Sequence, residues 1–476
     1  MSRDAHRGRQ IYVAAPINCY GAAMLAVQGI TAALLAWMET GRGQRVDTSL
    51  LDGAAAATMR LRFERKGDTV VPVERVVGHG LVHQGITLTF LTVECADGRY
   101  IQMCARHDEH FRNWLAALGL GEAMLEERYQ AAPLGFRSEA DITEVLSRIR
   151  ARMRDKTQAE WMRVFVEDFD VPADPFLTPD EFLAHPQLVD NGRVVEISDP
   201  ILGPVRQLGP LVPFTETPSR IGAAAARLGE HQSILDGAGA TPAAPAHAAP
   251  AGVARRRPVA AKAPLSGVTI LEVAYFLAAP WGATLLAELG ARVIKVEPLT
   301  GDPFRRIGLE VVHQVHGKES IVVDLKTPEG RGILHRPVGG SDALLHSFRP
   351  GVAERLGMGY ETLRAIKPDL VYLYGASYGS KGPHSHRAAF HSTPNALNGG
   401  GIIQAGRGNP PVDDSYGDPC SGLAVGVALA LGVYAQRRYG LGQYLETTML
   451  CSGGYVHSND MVSYAGRPDR LLPDGE

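Results

Sequence analysis

Val268-Thr269-Ile270-Leu271-Glu272-Val273 is followed by the apolar stretch Ala278-Ala279-Pro280-Trp281-Gly282, continuing to Leu289, then by Gly290 and Ala291-Arg292-Val293-Ile294-Lys295-Val296. The outer runs are short and rich in β-branched residues, as buried strands are. The middle run has a proline near its start and a glycine just past its end, the punctuation of a helix. Strand, helix and strand with short joins predict a right-handed βαβ unit of a parallel sheet. Ile321-Val322-Val323, Ala343-Leu344-Leu345 and Leu370-Val371-Tyr372-Leu373 supply further strands. The region from 265 onward therefore reads as a Rossmann-like, doubly wound α/β domain. No G-x-G-x-x-G follows the first strand, which argues against a bound NAD or FAD.

Outward from this unit, the chain repeats itself. Gly41-Arg42-Gly43-Gln44-Arg45-Val46-Asp47-Thr48-Ser49-Leu50-Leu51 returns 399 positions later as Gly440-Leu441-Gly442-Gln443-Tyr444-Leu445-Glu446-Thr447-Thr448-Met449-Leu450. An Ala/Gly-rich apolar helix precedes each copy, expected over Ala22 to Trp37 and Gly422 to Tyr434. Val46 and Leu445 alternate with polar neighbours and read as strand core. So long a period is the length of one folded unit. The expected organisation is permuted: 1–236 closes a first unit, 237–264 is an Ala/Pro-rich linker, and 265–476 opens a second. Within the first part, Asp97-Gly98 between Phe90–Val93 and Tyr100–Met103 predicts a hairpin. Helices near Glu109–Leu118 and Ile142–Met153 make a smaller α+β domain of about 63–185.

The net charge of −3 gives no general attraction to nucleic acid. Five cysteines without a Cys-x-x-Cys pair fit a reducing compartment, and the polar Ser2 to Gln10 does not read as a signal peptide, so a cytoplasmic location is expected. Ala22 to Met38 is short and interrupted by Gln28, and is expected to be a buried helix rather than a membrane span. Cys104, His107 and His110 have ligand-like spacing but no fourth ligand, so no metal is expected. His384 and His386 lie in a Gly/Pro/Ser loop and are expected to be solvated. Asp418-Pro419 ahead of an apolar helix reads locally as an N-cap with proline at the first helical position.

These residues resemble the class III CoA-transferase family, the CaiB/BaiF type that includes formyl-CoA transferase and 2-methylacyl-CoA racemase. The matching phrases include Leu289-Gly-Ala-Arg-Val-Ile-Lys-Val-Glu297, Gly301-Asp302-Pro303, Val323-Asp-Leu-Lys326, Phe348-Arg-Pro-Gly351, Arg355-Leu-Gly357, both G-x-G-Q segments, His185-Pro-Gln-Leu188 and Leu228-Gly-Glu-His231. The resemblance implies that Asp418 is a nucleophile that takes an acyl group from a CoA thioester. It places His391 where relatives carry an acidic residue. It implies CoA contacts from Lys326, Arg349 and Arg355, with Ser347 at a position where relatives often have asparagine. Leu277 replaces a polar substrate contact. Gly78-His79-Gly80 is a reduced form of a glycine loop that covers the intermediates, and Gly78 and Gly80 are its expected contacts. Cys19 is the first-unit counterpart of Asp418 and reads as a small buried residue. The implied activity is exchange of CoA between an acyl-CoA and a carboxylic acid, with CoA as substrate and no tightly bound cofactor, in an interlocked homodimer. A racemase-like proton transfer at Cα, and a non-catalytic CoA-binding or partner role, are the alternatives.

Overall fold

A computed structural model describes residues 13–58, 88–105, 108–130, 132–133, 138–222, 224–236, 262–306, 314–406, 408–413 and 416–468, together with short strands at 2–3, 10–11, 63–66 and 69–72. The Gly78 to Gly80 loop, His107 and most of the linker lie outside the described residues.

After the short strands at 2–3 and 10–11 comes helix α1 (Ile17–Thr40), which ends where Gly41 takes φ +67° and its N–H bonds back to the Trp37 carbonyl. Helix α2 (Leu50–Thr58) follows. Strands β1 (Phe90–Glu94) and β2 (Tyr100–Cys104) form the expected antiparallel hairpin, with Phe90 opposite Cys104 and Gly98 at φ +73° in the turn. Helices α3 (Asp108–Ala117) and α4 (Glu139–Met153) and strand β3 (Ala173–Pro175) complete the small α+β body. Its core holds Phe111, Trp114, Ile149, Met153, Trp161 and Phe165. A second hairpin, β4 (Val194–Asp199) with β5 (Gly203–Leu208), closes this part of the chain.

The large sheet comprises β6 (Thr269–Val273), β7 (Arg292–Glu297), β8 (Lys318–Val322), β9 (Ala343–His346), β10 (Val371–Ala376) and β11 (Gln443–Thr448). All five pairings are parallel, and the spatial order is β8-β7-β6-β9-β10-β11. Strand order 3-2-1-4-5-6 is that of a dinucleotide-binding sheet. It arises without the glycine fingerprint, because the order is set by crossover packing and not by the phosphate loop. Helix α5 (Ala278–Glu288) and the long helix α9 (Gly417–Tyr439) cover one face. Helices α6 (Pro328–Val338) and α7 (Tyr360–Ile366) cover the other. Gly282 sets the approach of α5 to α9: a Cβ there would lie 2.5 Å from Val425 Cγ1 and 2.6 Å from the Gly422 carbonyl oxygen.

The two parts of the chain are built onto each other. Helix α1 runs along α9, with Tyr20 Oη donating to the Cys420 carbonyl and Gln28 Nε2 to the Leu423 carbonyl, each at 3.0 Å. Arg193 and Glu446 form a buried ion pair at 2.9 Å. Val462 and Ser463 pair with β5.

Four expectations need correction here. Val46 is not strand core: residues 42–49 form no strand and Val46 is exposed, whereas Leu445 is fully buried in β11. The same sequence pattern became a strand only where β10 was there to pair with it. Helix α1 is only partly buried: Ile30, Leu34 and Trp37 are exposed, while their repeat counterparts Leu429, Val433 and Gln436 pack within the fold. Both α1 and α9 are long and apolar enough to cross a bilayer by length and composition; the most apolar window is 83% buried in α9 and 33% in α1. Cys19 is exposed, not buried. Both long helices also begin earlier than expected, at Ile17 and Gly417, because their first turns pack on one another's ends.

Candidate active site

The sheet order reverses between β6 and β9, and the crevice beyond the carboxyl ends of such strands is where open α/β sheets hold ligands. Residues Tyr275 to Leu277 leave β6 on one side of this crevice, and Ser347 to Arg349 leave β9 on the other. They are tied together. The Tyr275 N–H donates to Ser347 Oγ at 3.4 Å, and the Tyr275 and Phe348 rings meet edge to face at 5.4 Å. Beneath them lies a buried charge cluster. Lys295 Nζ pairs with Glu272 at 2.7 Å and Asp302 at 2.9 Å, and Lys318 Nζ pairs with Glu272 at 2.5 Å. Burial works against the Lys295 cation, but Glu272 and Asp302 outweigh it and hold that lysine above its ordinary range.

Asp418 stands in the first turn of α9, half-buried, where the aligned peptide dipoles of a 23-residue helix favour negative charge. The expected N-cap role is corrected: Tyr416 is the N-cap, Asp418 is the second helical residue, and no side chain caps this end. The helix begins two residues earlier than expected, and Gly417 fits there against Asn395, whose amide nitrogen would lie 2.8 Å from any Cβ at 417. The Asp418 carboxylate is thereby freed to turn toward a neighbour. That neighbour is His391, the N-cap of the short helix α8 (Ser392–Leu397), with Nδ1 3.0 Å from Asp418 Oδ2. A carboxylate only accepts, so Nδ1 carries the proton. The His391 side chain is 8% exposed and lies against the Phe90 ring at 4.9 Å.

The segment leading to His391 is anchored to the small α+β body. Arg387 Nη1 donates to Asp174 Oδ1 and to His384 Nδ1, each at 2.8 Å, and Tyr378 Oη donates to the other Asp174 oxygen. Tyr378 Oη also meets Thr393 Oγ1 at 3.3 Å, inside α8. Burial pushes Asp174 up to about 6 against the pull of Arg387 and Tyr378. Burial first, then the Arg387 cation, push His384 down to about 2. His384 is therefore not the solvated loop residue expected: its side chain is 18% exposed and stacks edge-on to His185 and Tyr378. His386 is exposed as expected.

The structure thus joins Asp418 to His391 directly, and sets Ser347 and Arg349 at the switch-point crevice. Arg349 already has a partner, Asp170, at 3.1 Å, with both side chains largely exposed. Arg355 is exposed at the end of the short helix Val352–Arg355. Lys326 is exposed beyond edge strand β8, two strands from β6. Among the described residues no group of three His, Cys, Asp or Glu is arranged to hold a metal ion. Sequence reasoning missed Phe276, Phe390, Asp302, Asp174 and Arg387. Gly301-Asp302-Pro303 was visible as a phrase, but nothing in it reveals that Asp302 reaches back to the β6 loop.

Solved structures with local likeness include Rv3272 of Mycobacterium tuberculosis (30% identity, TM-score 0.40, 42% of this chain and 57% of that one) and a CaiB/BaiF family protein of Brucella suis (30%, 0.38, 42% and 56%). Relatives include the acetyl-CoA:oxalate CoA-transferase of Acetobacter aceti, 35% identical over 40% of this chain and 52% of its own length. The succinyl-CoA–D-citramalate CoA-transferase of Chloroflexus aurantiacus is 36% identical over 38% and 48%. The chain spans about half the length of the curated relatives it matches. The family model for CoA-transferase family III matches residues 1–232 and 265–475, leaving out little but the Ala/Pro-rich linker, and this chain belongs to that family.

Proposed function

We propose that the protein transfers CoA between an acyl-CoA and a carboxylic acid, with Asp418 as the nucleophile. The observation that carries this reading is the single contact between His391 Nδ1 and Asp418 Oδ2 at the start of α9. Among the described residues the imidazole engages one carboxylate oxygen, Oδ2, and the other, Oδ1, is the proposed attacking atom.

Asp418 Oδ1 adds to the thioester carbonyl. The C–S bond breaks, CoA leaves as thiolate with the electron pair, and an acyl–aspartyl anhydride forms. The thiolate then attacks the Asp418 carbonyl carbon, expels the donor acid as carboxylate, and leaves an aspartyl–CoA thioester. The acceptor carboxylate attacks that thioester, releasing thiolate and forming a second anhydride. The thiolate finally attacks the acceptor's carbonyl, giving the new acyl-CoA and restoring Asp418. Each step exchanges one activated acyl bond for another, so no external energy source enters. The helix N-terminus and the His391 N–H favour the carboxylate that must form and re-form. Both intermediates hydrolyse in water, and the small α+β body, reaching His391 through Phe90, serves to keep water out. Ser347, Arg349, Arg355 and Lys326 are the proposed CoA contacts, Arg349 exchanging Asp170 for phosphate. Gly78 and Gly80 are proposed to cover the intermediates. The chain is proposed to work as a homodimer in the cytoplasm, with residues 1–236 and 265–476 as parts of two successive units.

The same contact favours one other reading, proton transfer at Cα of an acyl-CoA by His391 and Asp418 acting as base and acid. The two separate cleanly. CoA transfer predicts exchange of isotope-labelled free acid into acyl-CoA, with no deuterium entering Cα when acceptor is left out. Deuterium uptake without acid exchange would establish proton transfer instead.

A further inference from the structure

Phe276 has φ +65°; among the described residues only Asp170 shares a left-handed backbone without being glycine. Phenylalanine avoids this region because its Cβ crowds the neighbouring carbonyl. Such a conformation persists only where surrounding structure imposes it. The imposing group is Asp302. Its Oδ1 accepts from the Phe276 N–H at 3.2 Å and from the Phe304 N–H at 2.9 Å. Its Oδ2 is held by Lys295 Nζ at 2.9 Å, and Lys295 is in turn paired with Glu272. All three charged side chains are at most 2% exposed. A rigid, buried charge trio therefore clamps one backbone N–H and fixes where the Phe276 ring goes.

The ring goes to Phe390, edge to face at 5.8 Å and 84°. Phe390 immediately precedes His391, whose ring lies against Phe90 at 4.9 Å. Three phenyl rings from three separate segments, the β6–α5 loop, the stretch before α8 and strand β1, are thus linked to His391: Phe90 through its ring, Phe390 as its neighbour in the chain, and Phe276 through Phe390. All three, and Leu277 beside Phe276, are only half-buried, as residues lining a crevice are.

We propose that Phe276, Phe390, Phe90 and Leu277 form the wall that receives the acyl group, that Phe276 is its specificity-determining residue, and that the preferred acyl group is uncharged, aryl or branched alkyl. The inference rests on Asp418 being the acylated nucleophile. A second carboxylate on the acyl chain would be desolvated against phenyl rings, whose faces carry partial negative charge. An aryl or branched alkyl chain instead gains apolar contact with every ring. The relatives named above are named for oxalate and citramalate, both acids with a further carboxylate, so the proposed preference differs from theirs.

The test is competition on the full chain. Equimolar phenylacetyl-CoA and succinyl-CoA compete for the protein with acetate as acceptor, and the loss of each is followed by mass spectrometry; separate incubations with each acyl-CoA are quenched with hydroxylamine and peptide-mapped, since either donor leaves the same hydroxamate on Asp418. In the native protein, turnover of phenylacetyl-CoA should exceed that of succinyl-CoA by about tenfold, with a hydroxamate on Asp418 in the phenylacetyl-CoA incubation. F276G relieves the backbone strain while deleting the ring, and should lower the ratio at least about fivefold. F276L keeps an apolar side chain and should hold the ratio within about twofold. Equal or faster loss of succinyl-CoA, or a native ratio in F276G, overturns the assignment of the wall while leaving Asp418 as nucleophile. A hydroxamate on Asp418 from neither acyl-CoA removes the nucleophile, and the wall's role with it.

Discussion

Asp418 meets two requirements of a nucleophilic carboxylate: a helix N-terminus that favours its charge, and a donor that fixes one of its oxygens, Oδ2. His391 supplies that donor. Replacing it by leucine should lower the turnover rate roughly 10²-fold through loss of one preorganised donor, with partial recovery in H391N, whose amide can still donate. Steady-state kinetics on the three proteins check this, and a leucine variant as fast as native protein would remove His391 from the mechanism. Both residues were singled out in the sequence through the family resemblance, which works from motifs local along the chain. Their contact was not visible there, since two short helices, Ser392–Leu397 and Gly400–Ala405, and a further stretch of chain separate 391 from 418. Phe276 was wholly hidden. No residue type announces a left-handed phenylalanine, and the clamp that imposes it comes from Asp302, Lys295 and Glu272 on three other segments.

At the scale of elements, the βαβ unit from Thr269 to Glu297 was readable in full, and the remaining sheet strands were found within three residues. Period and punctuation suffice there, because the inner strands are buried on both faces, while Glu319, Ser320 and Val322 of edge strand β8 are exposed. The packing of α5 on α9 depends on Gly282, and Ala at that position should cost about 1–3 kcal/mol in urea unfolding, since the added methyl meets Val425 and a backbone carbonyl. An unfolding free energy unchanged in G282A would mean the helices can separate freely. The end of β9 carries a pH dependence. Burial pushes His346 down to about 3, stacked on Tyr374 at 4.9 Å. The unfolded chain takes up a proton below about 6.5 that the folded chain refuses until about 3. Stability from this residue is complete above about 6.5 and falls as pH drops through that window. Between pH 7 and 5 the loss is about 2 kcal/mol. His346→Phe should lose that much less stability than native protein over the same interval, measured by urea unfolding at both values; equal losses would show that His346 titrates normally. Where element reading failed, at Val46, the local pattern was right for a strand but a strand needs a neighbour.

At the scale of the whole molecule, residues 1–236 and 265–476 are built onto each other. The repeat 399 residues apart suggested two successive units in the sequence, but gave no sign of these contacts. Buried links such as Arg193–Glu446, Asp174–Arg387 and Gln187 with the Tyr378 and Lys381 carbonyls join residues about 190 to 250 apart. Only the fold brings them together. They predict that the connection through 237–264 is dispensable for cohesion once folding is complete. A protease site placed there and cut in the purified protein should leave both fragments eluting together as one species of about the intact size, 51.1 kDa per chain. Separation into two peaks would mean that the tether, and not the buried contacts, holds them. Peptide mapping after acyl-CoA and hydroxylamine treatment decides whether Asp418 is the nucleophile. A hydroxamate is expected on Asp418, absent in Asp418→Asn, whose CoA exchange falls at least about 10³-fold. Full exchange by Asp418→Asn, or a hydroxamate on another carboxylate, would contradict that role.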